Sequence, residues 1–204
     1  MDSVELFAKG GFVMYLLAIC SVAVAAIGIE RFRFYRYAVR DNENFLAGLR
    51  ERLKRQQAGE VLSFCNGEDS CVGHVAAAGV KAAVAGDNVE LALNIAYDEA
   101  AMQLRARLNY LSMIVTLAPL LGLLGTIGGM IEAFNIFSIE AGQPLAITGG
   151  IGEALIATAT GLCVSIFALI VHTCLAQKLD EHLTTLDKTV NIVLATLEGN
   201  HETP

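Results

Sequence analysis

The stretch TGGIGEALIATATGLCVSIFALIVHTCLA, residues 148–176, decides the fold. It holds one carboxylate, Glu153, and no Lys, Arg or His until His172. A helix that crosses a bilayer needs about 20 mostly apolar residues. Any spanning segment must satisfy its own backbone hydrogen bonds, so this one reads as a helix. It is longer than a bilayer requires and is expected to tilt or to run on as helix into water. Two further stretches, 11–29 and about 111–131, are also apolar and carry no charge. The expectation is an all-α, polytopic membrane protein with three transmembrane helices, the second and third extended into the cytoplasm as long helices.

Composition agrees. Of 204 residues 54% are hydrophobic, and only 17% are charged. The net charge of −7 says little about fold or partner; the placement of Lys and Arg sets orientation. Eleven of the 14 basic residues lie between Glu30 and Asn109, four of them (Arg31, Arg33, Arg36, Arg40) directly after the first span among aromatics. Residues 135–147 hold none. The positive-inside rule then gives residues 1–10 as a periplasmic N-terminus and 11–29 as the first span. Residues 30–109 form a cytoplasmic helical region, 110–133 the second span and 134–147 a periplasmic hairpin. Residues 148–175 are the third span and 176–204 a cytoplasmic helix and tail. The N-terminus, with Asp2, Glu5 and only Lys9, lacks the basic start of a secretory signal, so the first span reads as retained.

The large loop patterns as helices over 42–57 and 72–85, broken at 66–70 and at Gly86-Asp87-Asn88. Asp87 or Asn88 is placed to cap the next helix, with Leu91, Ile95, Met102 and Leu108 near one stripe. No Pro or Gly interrupts 89–118, which predicts one long helix entering the second span. Leu179, Leu183, Leu186, Val190, Val193 and Leu197 give the tail a helical stripe. Cys65, Cys71 and His74 match no zinc spacing and read as ordinary residues with reduced thiols. No phosphate-binding loop, zinc helix motif or nucleophile triad appears, so no enzyme activity and no cofactor is expected.

Glu153 is the most informative residue. A charged side chain at the centre of a spanning helix costs about 2.5–3.5 kcal/mol on insertion scales, and such groups usually face a bundle interior or a wet cavity. The plainer alternative is a shallow carboxylate among headgroups. At about 100° per residue, Ala157, Thr160 and Val164 share its face and Thr158 lies well round the helix. Gly150, Ala154, Ala157, Gly161, Ser165 and Ala168 form a stripe of small residues. The second span carries Gly122, Gly125, Thr126, Gly128 and Gly129. Such faces let helices approach closely in lipid, and two of them exceed what one hairpin needs, which suggests a homo-oligomer. Pro119 kinks the second span and frees a carbonyl for water or a neighbouring hydroxyl; Thr116 is close by. Glu132 reads as an interfacial end to this span.

Residues 117–131, LAPLLGLLGTIGGMI, resemble the second-span motif of the MotA/TolQ/ExbB proton channel proteins, and residues 149–162, GGIGEALIATATGL, resemble their third-span motif. Residues 11–15 with Ile29-Glu30-Arg31 and Tyr35-Arg36 resemble the family's first span and its exit. The shorter chain points to the ExbB/TolQ branch. The resemblance implies a pentamer in the inner membrane of a bacterium. The ring would enclose a dimer of a single-span, ExbD/TolR-like partner, with a TonB/TolA-like protein beyond it and no nucleic acid. It implies that Glu153 is the third-span glutamate and that Thr126 and Thr158 are the pore-side threonines, while helical arithmetic favours Thr160. Both threonines stand as candidates. One departure is plain: the family's proline in the second half of the third span is replaced here by Phe167. The resemblance implies a subunit of a proton-driven motor that energises an envelope or TonB-dependent transport process. Alternatives are a flagellar or gliding motor stator, or a passive membrane scaffold.

Overall fold

The computed structural model describes residues 11–38, 42–54, 58–67, 70–139 and 144–198. The segment 1–10, the hairpin tip 140–143, Arg40 and the tail beyond 198 lie outside the described residues. The described residues form seven helices and no strand: α1 (Gly11–Ala38), α2 (Asn42–Lys54), α3 (Ala58–Asn66), α4 (Cys71–Ala85), α5 (Val89–Arg105), α6 (Leu108–Ile139) and α7 (Pro144–Glu198). Three stretches, Gly11–Arg36, Val89–Asn135 and Gly149–Leu197, are long and apolar enough to cross a membrane. The last helix has 55 residues, so the third span does run on as helix.

The chain divides into two compact units, one of residues up to Glu30 with Arg107–Leu175, the other of Arg31–Ala106 with the residues from Ala176 onward. In the first unit, Phe12, Ile19, Val22, Leu120, Leu123, Ile166 and Ile170 point outward and exposed. Water would penalise such a surface, whereas lipid solvates it at no cost. The small residues Ala118, Ala133, Ala154, Ala157 and Ala168 are buried instead.

In the second unit, Phe45 and Phe64 stack at 5.0 Å and Arg52 lies 4.0 Å over the Phe64 ring, joining α2 to α3. Ser70 accepts from the Gly73 amide to start α4, and Gly86 ends it at φ 77, a left-handed turn that glycine adopts without strain. Asn88 Oδ1 accepts from the Leu91 amide at 2.9 Å and caps α5.

Two expectations need correction here. The helix from residue 89 is not continuous: α5 stops at Arg105 and α6 starts at Leu108, with Arg107 at φ 68. In the second unit Arg31 Nη1 donates to Gln103 O (3.1 Å) and Tyr35 Oη donates to Leu104 O (2.8 Å). These carbonyls would otherwise take helical amides four residues on, so side chains of α1 replace the bonds the break removes. In the first unit Arg107 pairs with Glu30. The second correction concerns the α5 stripe. Of the stripe, Leu91, Ile95 and Met102 are exposed and Leu108, which starts α6, is buried; the buried face of α5 is Leu93, Ala100, Ala101 and Leu104. Its alanines are small, which hides the face from a count of large apolar residues. On α7 the buried line is Leu179, His182, Leu186, Thr189 and Val193. It includes Leu179, Leu186 and Val193 of the expected stripe, whose Leu183, Val190 and Leu197 are half-buried, and also an imidazole, which packs 5.3 Å from the Tyr35 ring.

Candidate functional site

The second and third spans meet through residues without bulk. A methyl group at Gly161 would fall 2.6 Å from the Ala118 carbonyl oxygen, and one at Gly150 would fall 2.6 Å from the Ala133 methyl. Gly122 lies against the backbone of Ala157 and Thr158, Gly125 against Ala157, and Gly129 against Ala154. Gly122, Gly125, Gly129, Gly150 and Gly161 therefore serve this intrachain hairpin, whereas Gly128 meets nothing within 4 Å, and an oligomer does not follow from the stripe itself.

Close approach brings the side chains of Thr126 and Thr158 into direct hydroxyl contact. Thr158 Oγ1 also reaches Gly122 O at 3.0 Å, while Thr126 Oγ1 lies 3.3 Å from Gly122 O and 3.4 Å from Ala154 O. Each hydroxyl has one hydrogen and several acceptors, so the pair can exchange donor and acceptor roles by rotation. Thr160 is elsewhere: its hydroxyl donates to Ile156 O of its own helix at 2.8 Å, a common intrahelical bond. The structure thus brings Thr158, not Thr160, to Thr126.

Ala154, whose carbonyl reaches Thr126, also lines a cavity of about 240 Å³ with Glu153, Glu132, Gly125, Gly129 and Val13. Water needs about 10–15 Å³ of such space and several polar partners, so this volume admits a chain of waters. Glu153 is half-buried and Glu132 exposed. Sequence alone marks Glu132 only as the end of a span; here it faces the same cavity as Glu153.

Pro119 supplies no amide to Val115 O, and the missing donor comes from Ser165 Oγ at 2.7 Å. Thr116 bonds Met113 O at 2.9 Å instead. The small size of Ser165 is legible in sequence; its pairing with a proline-freed carbonyl 50 residues away requires the hairpin register.

Residues 67–188 match the family described as the MotA/TolQ/ExbB proton channel family. The chain belongs to the MotA/TolQ/ExbB proton channel family. It is 32% identical to a biopolymer transport protein, ExbB-like 1, of Synechocystis over 81% of its own length and 67% of that protein. It is 24% identical to an ExbB homologue of Methanothermobacter thermautotrophicus, over 90% of this chain and 66% of the other. The Tol-Pal system protein TolQ of Haemophilus influenzae is 28% identical over 88% of the chain and 86% of that relative. The chain thus spans about two thirds of the length of the two ExbB-type relatives and most of TolQ. These names place it on the ExbB/TolQ branch, among membrane channel proteins.

Proposed function

We propose that the chain is the proton-channel subunit of a motor driven by the proton-motive force. Glu153 would be its protonatable group, and Thr126 and Thr158 the hydroxyl pair that serves its path. In this reading the N-terminus and hairpin face the periplasm of a bacterial cell and the second unit faces the cytoplasm. Five copies surround a dimer of a single-span, ExbD/TolR-like protein, and the work passes to an envelope or biopolymer transport process.

The observation that carries the reading is the grouping of polar atoms: a half-buried carboxylate lines a cavity together with Ala154, whose carbonyl reaches Thr126 of a hydroxyl pair, within helices otherwise apolar on their outer faces. One charge crossing 100 mV releases about 2.3 kcal/mol, so a few protons suffice for a sizeable conformational step. The test is proton uptake by liposomes holding the complex purified from its native membrane. Glu153→Gln is expected to abolish uptake while the complex still assembles. Unchanged uptake in that variant would remove Glu153 from the mechanism and leave a passive scaffold.

A further inference from the structure

We propose that Glu132 is a second carboxylate of the proton path, receiving protons from the aqueous phase at the hairpin end and passing them to Glu153. The inference rests on the channel reading above and extends it to a residue outside the two span motifs' polar positions.

Register places the two acids in order. Gly129 stands against Ala154 and Gly150 against Ala133 across the antiparallel hairpin. That pairing sets Glu153 level with Met130, so Glu132 lies two residues closer to the hairpin, about 3 Å at 1.5 Å per residue. Both acids line one cavity, and among the described residues no Lys, Arg or His lines it with them. Glu132 is exposed and Glu153 half-buried, so a proton arriving from the hairpin side meets Glu132 first. Gly128 also lines the cavity, and a methyl group built on it would meet nothing within 4 Å. The cavity that both acids line, about 240 Å³, has room for waters to join them.

The step balances without any further reactant. Hydronium gives its proton to the Glu132 carboxylate. The new O–H bond then breaks as a bridging water protonates the Glu153 carboxylate, and Glu132 returns to its starting charge. A cleft lined by one sign of charge also gathers the opposite ion and raises its capture rate.

The experiment compares Glu132→Gln, Glu132→Asp and Glu153→Gln in the complex purified from its native membrane, with proton uptake measured across a range of outside pH. Glu132→Gln should lower uptake about tenfold at alkaline outside pH, where proton supply limits, the lower end of the range for electrostatic capture. The deficit should close at acidic outside pH. Glu132→Asp should restore wild-type behaviour, which also answers any failure of the Gln variant to fold. A Glu132→Gln profile parallel to wild type at every pH, with Glu153→Gln inactive, overturns the role of Glu132 and leaves the channel reading standing. Full uptake in Glu153→Gln overturns the channel reading itself. A deficit in Glu132→Gln that is constant with pH and uncorrected by Asp shows a structural residue only, and overturns the proposal.

Discussion

Replacing Ser165 with alanine should destabilise the hairpin, and the cost should depend on Pro119. Ser165 donates to Val115 O at 2.7 Å, the carbonyl that Pro119 leaves without its helical amide. A hydrogen bond between spanning helices averages only about 0.6 kcal/mol, because in the separated helices the partners find other bonds. Val115 O has lost its local partner even in the separated helix, so its bond belongs near the measured upper value of about 1.7 kcal/mol. Restoring the amide with Pro119→Ala should return the intrahelical bond and make Ser165 dispensable. Ser165→Ala should then cost a few tenths of a kcal/mol, for a coupling of about 1 kcal/mol between the two sites. Reversible unfolding of the purified chain in bicelles, run on wild type, both single variants and the double variant, measures this cycle. An equal cost for Ser165→Ala in both backgrounds would refute the assignment of Ser165 as the donor that replaces the proline's amide.

Thr158→Ala should lower proton uptake by the complex at least tenfold, the effect of losing one well-placed proton-transfer group, while Thr160→Ala, whose hydroxyl only returns to Ile156 O, should leave it within twofold. Gly161→Ala should cost about 1–3 kcal/mol in the same unfolding assay, since its methyl meets the Ala118 carbonyl at 2.6 Å and backbone must shift. Burial pushes the Cys65 thiol up to about 11 from 9.0. At pH near 8 its thiolate fraction, and with it the rate of alkylation, should be about a hundredfold below that of an ordinary thiol. Mass spectrometry of timed iodoacetamide labelling checks this, and denaturation should abolish the protection. The sign for stability follows: the folded state holds this proton more tightly, so its contribution is complete below pH 9 and is lost as pH rises towards 11.

The three spans are legible because lipid imposes a simple demand: some 20 apolar residues with no unpaired backbone. The breaks around Ser70 and Gly86 and the cap at Asn88 are legible for a local reason, since the signal and its partner lie within a few residues. What sequence reasoning missed depends on distant partners. The break at Ala106–Arg107 has no Pro or Gly to announce it. Arg31 and Tyr35 from another helix make it affordable by taking the Gln103 and Leu104 carbonyls. The buried face of α5 is built from Leu93, Ala100, Ala101 and Leu104, and a search for large apolar residues selects the opposite face. Thr158 and Thr160 lie about 200° apart around α7. Helical rotation separates their faces but does not say which face meets the second span; the position of Thr126 does.

The sequence resemblance implies a proline where Phe167 stands, and the structure gives that difference a consequence. A proline there would remove the amide that bonds Cys163 O. Cys163 is exposed on the apolar outer face of the first unit, where lipid offers no replacement donor. With phenylalanine, α7 remains helical from Pro144 to Glu198. Among the described residues the hairpin's helical ladder is then interrupted at Pro119, and that gap is closed from the other span by Ser165. Any change of shape within this hairpin is therefore expected to start at Val115 and Ser165, where exchange of one hydroxyl bond is enough, rather than in the third span. The Gly122 carbonyl, one turn beyond Pro119, accepts from Thr158. A movement of the kink would thus be felt directly by the hydroxyl pair of Thr126 and Thr158.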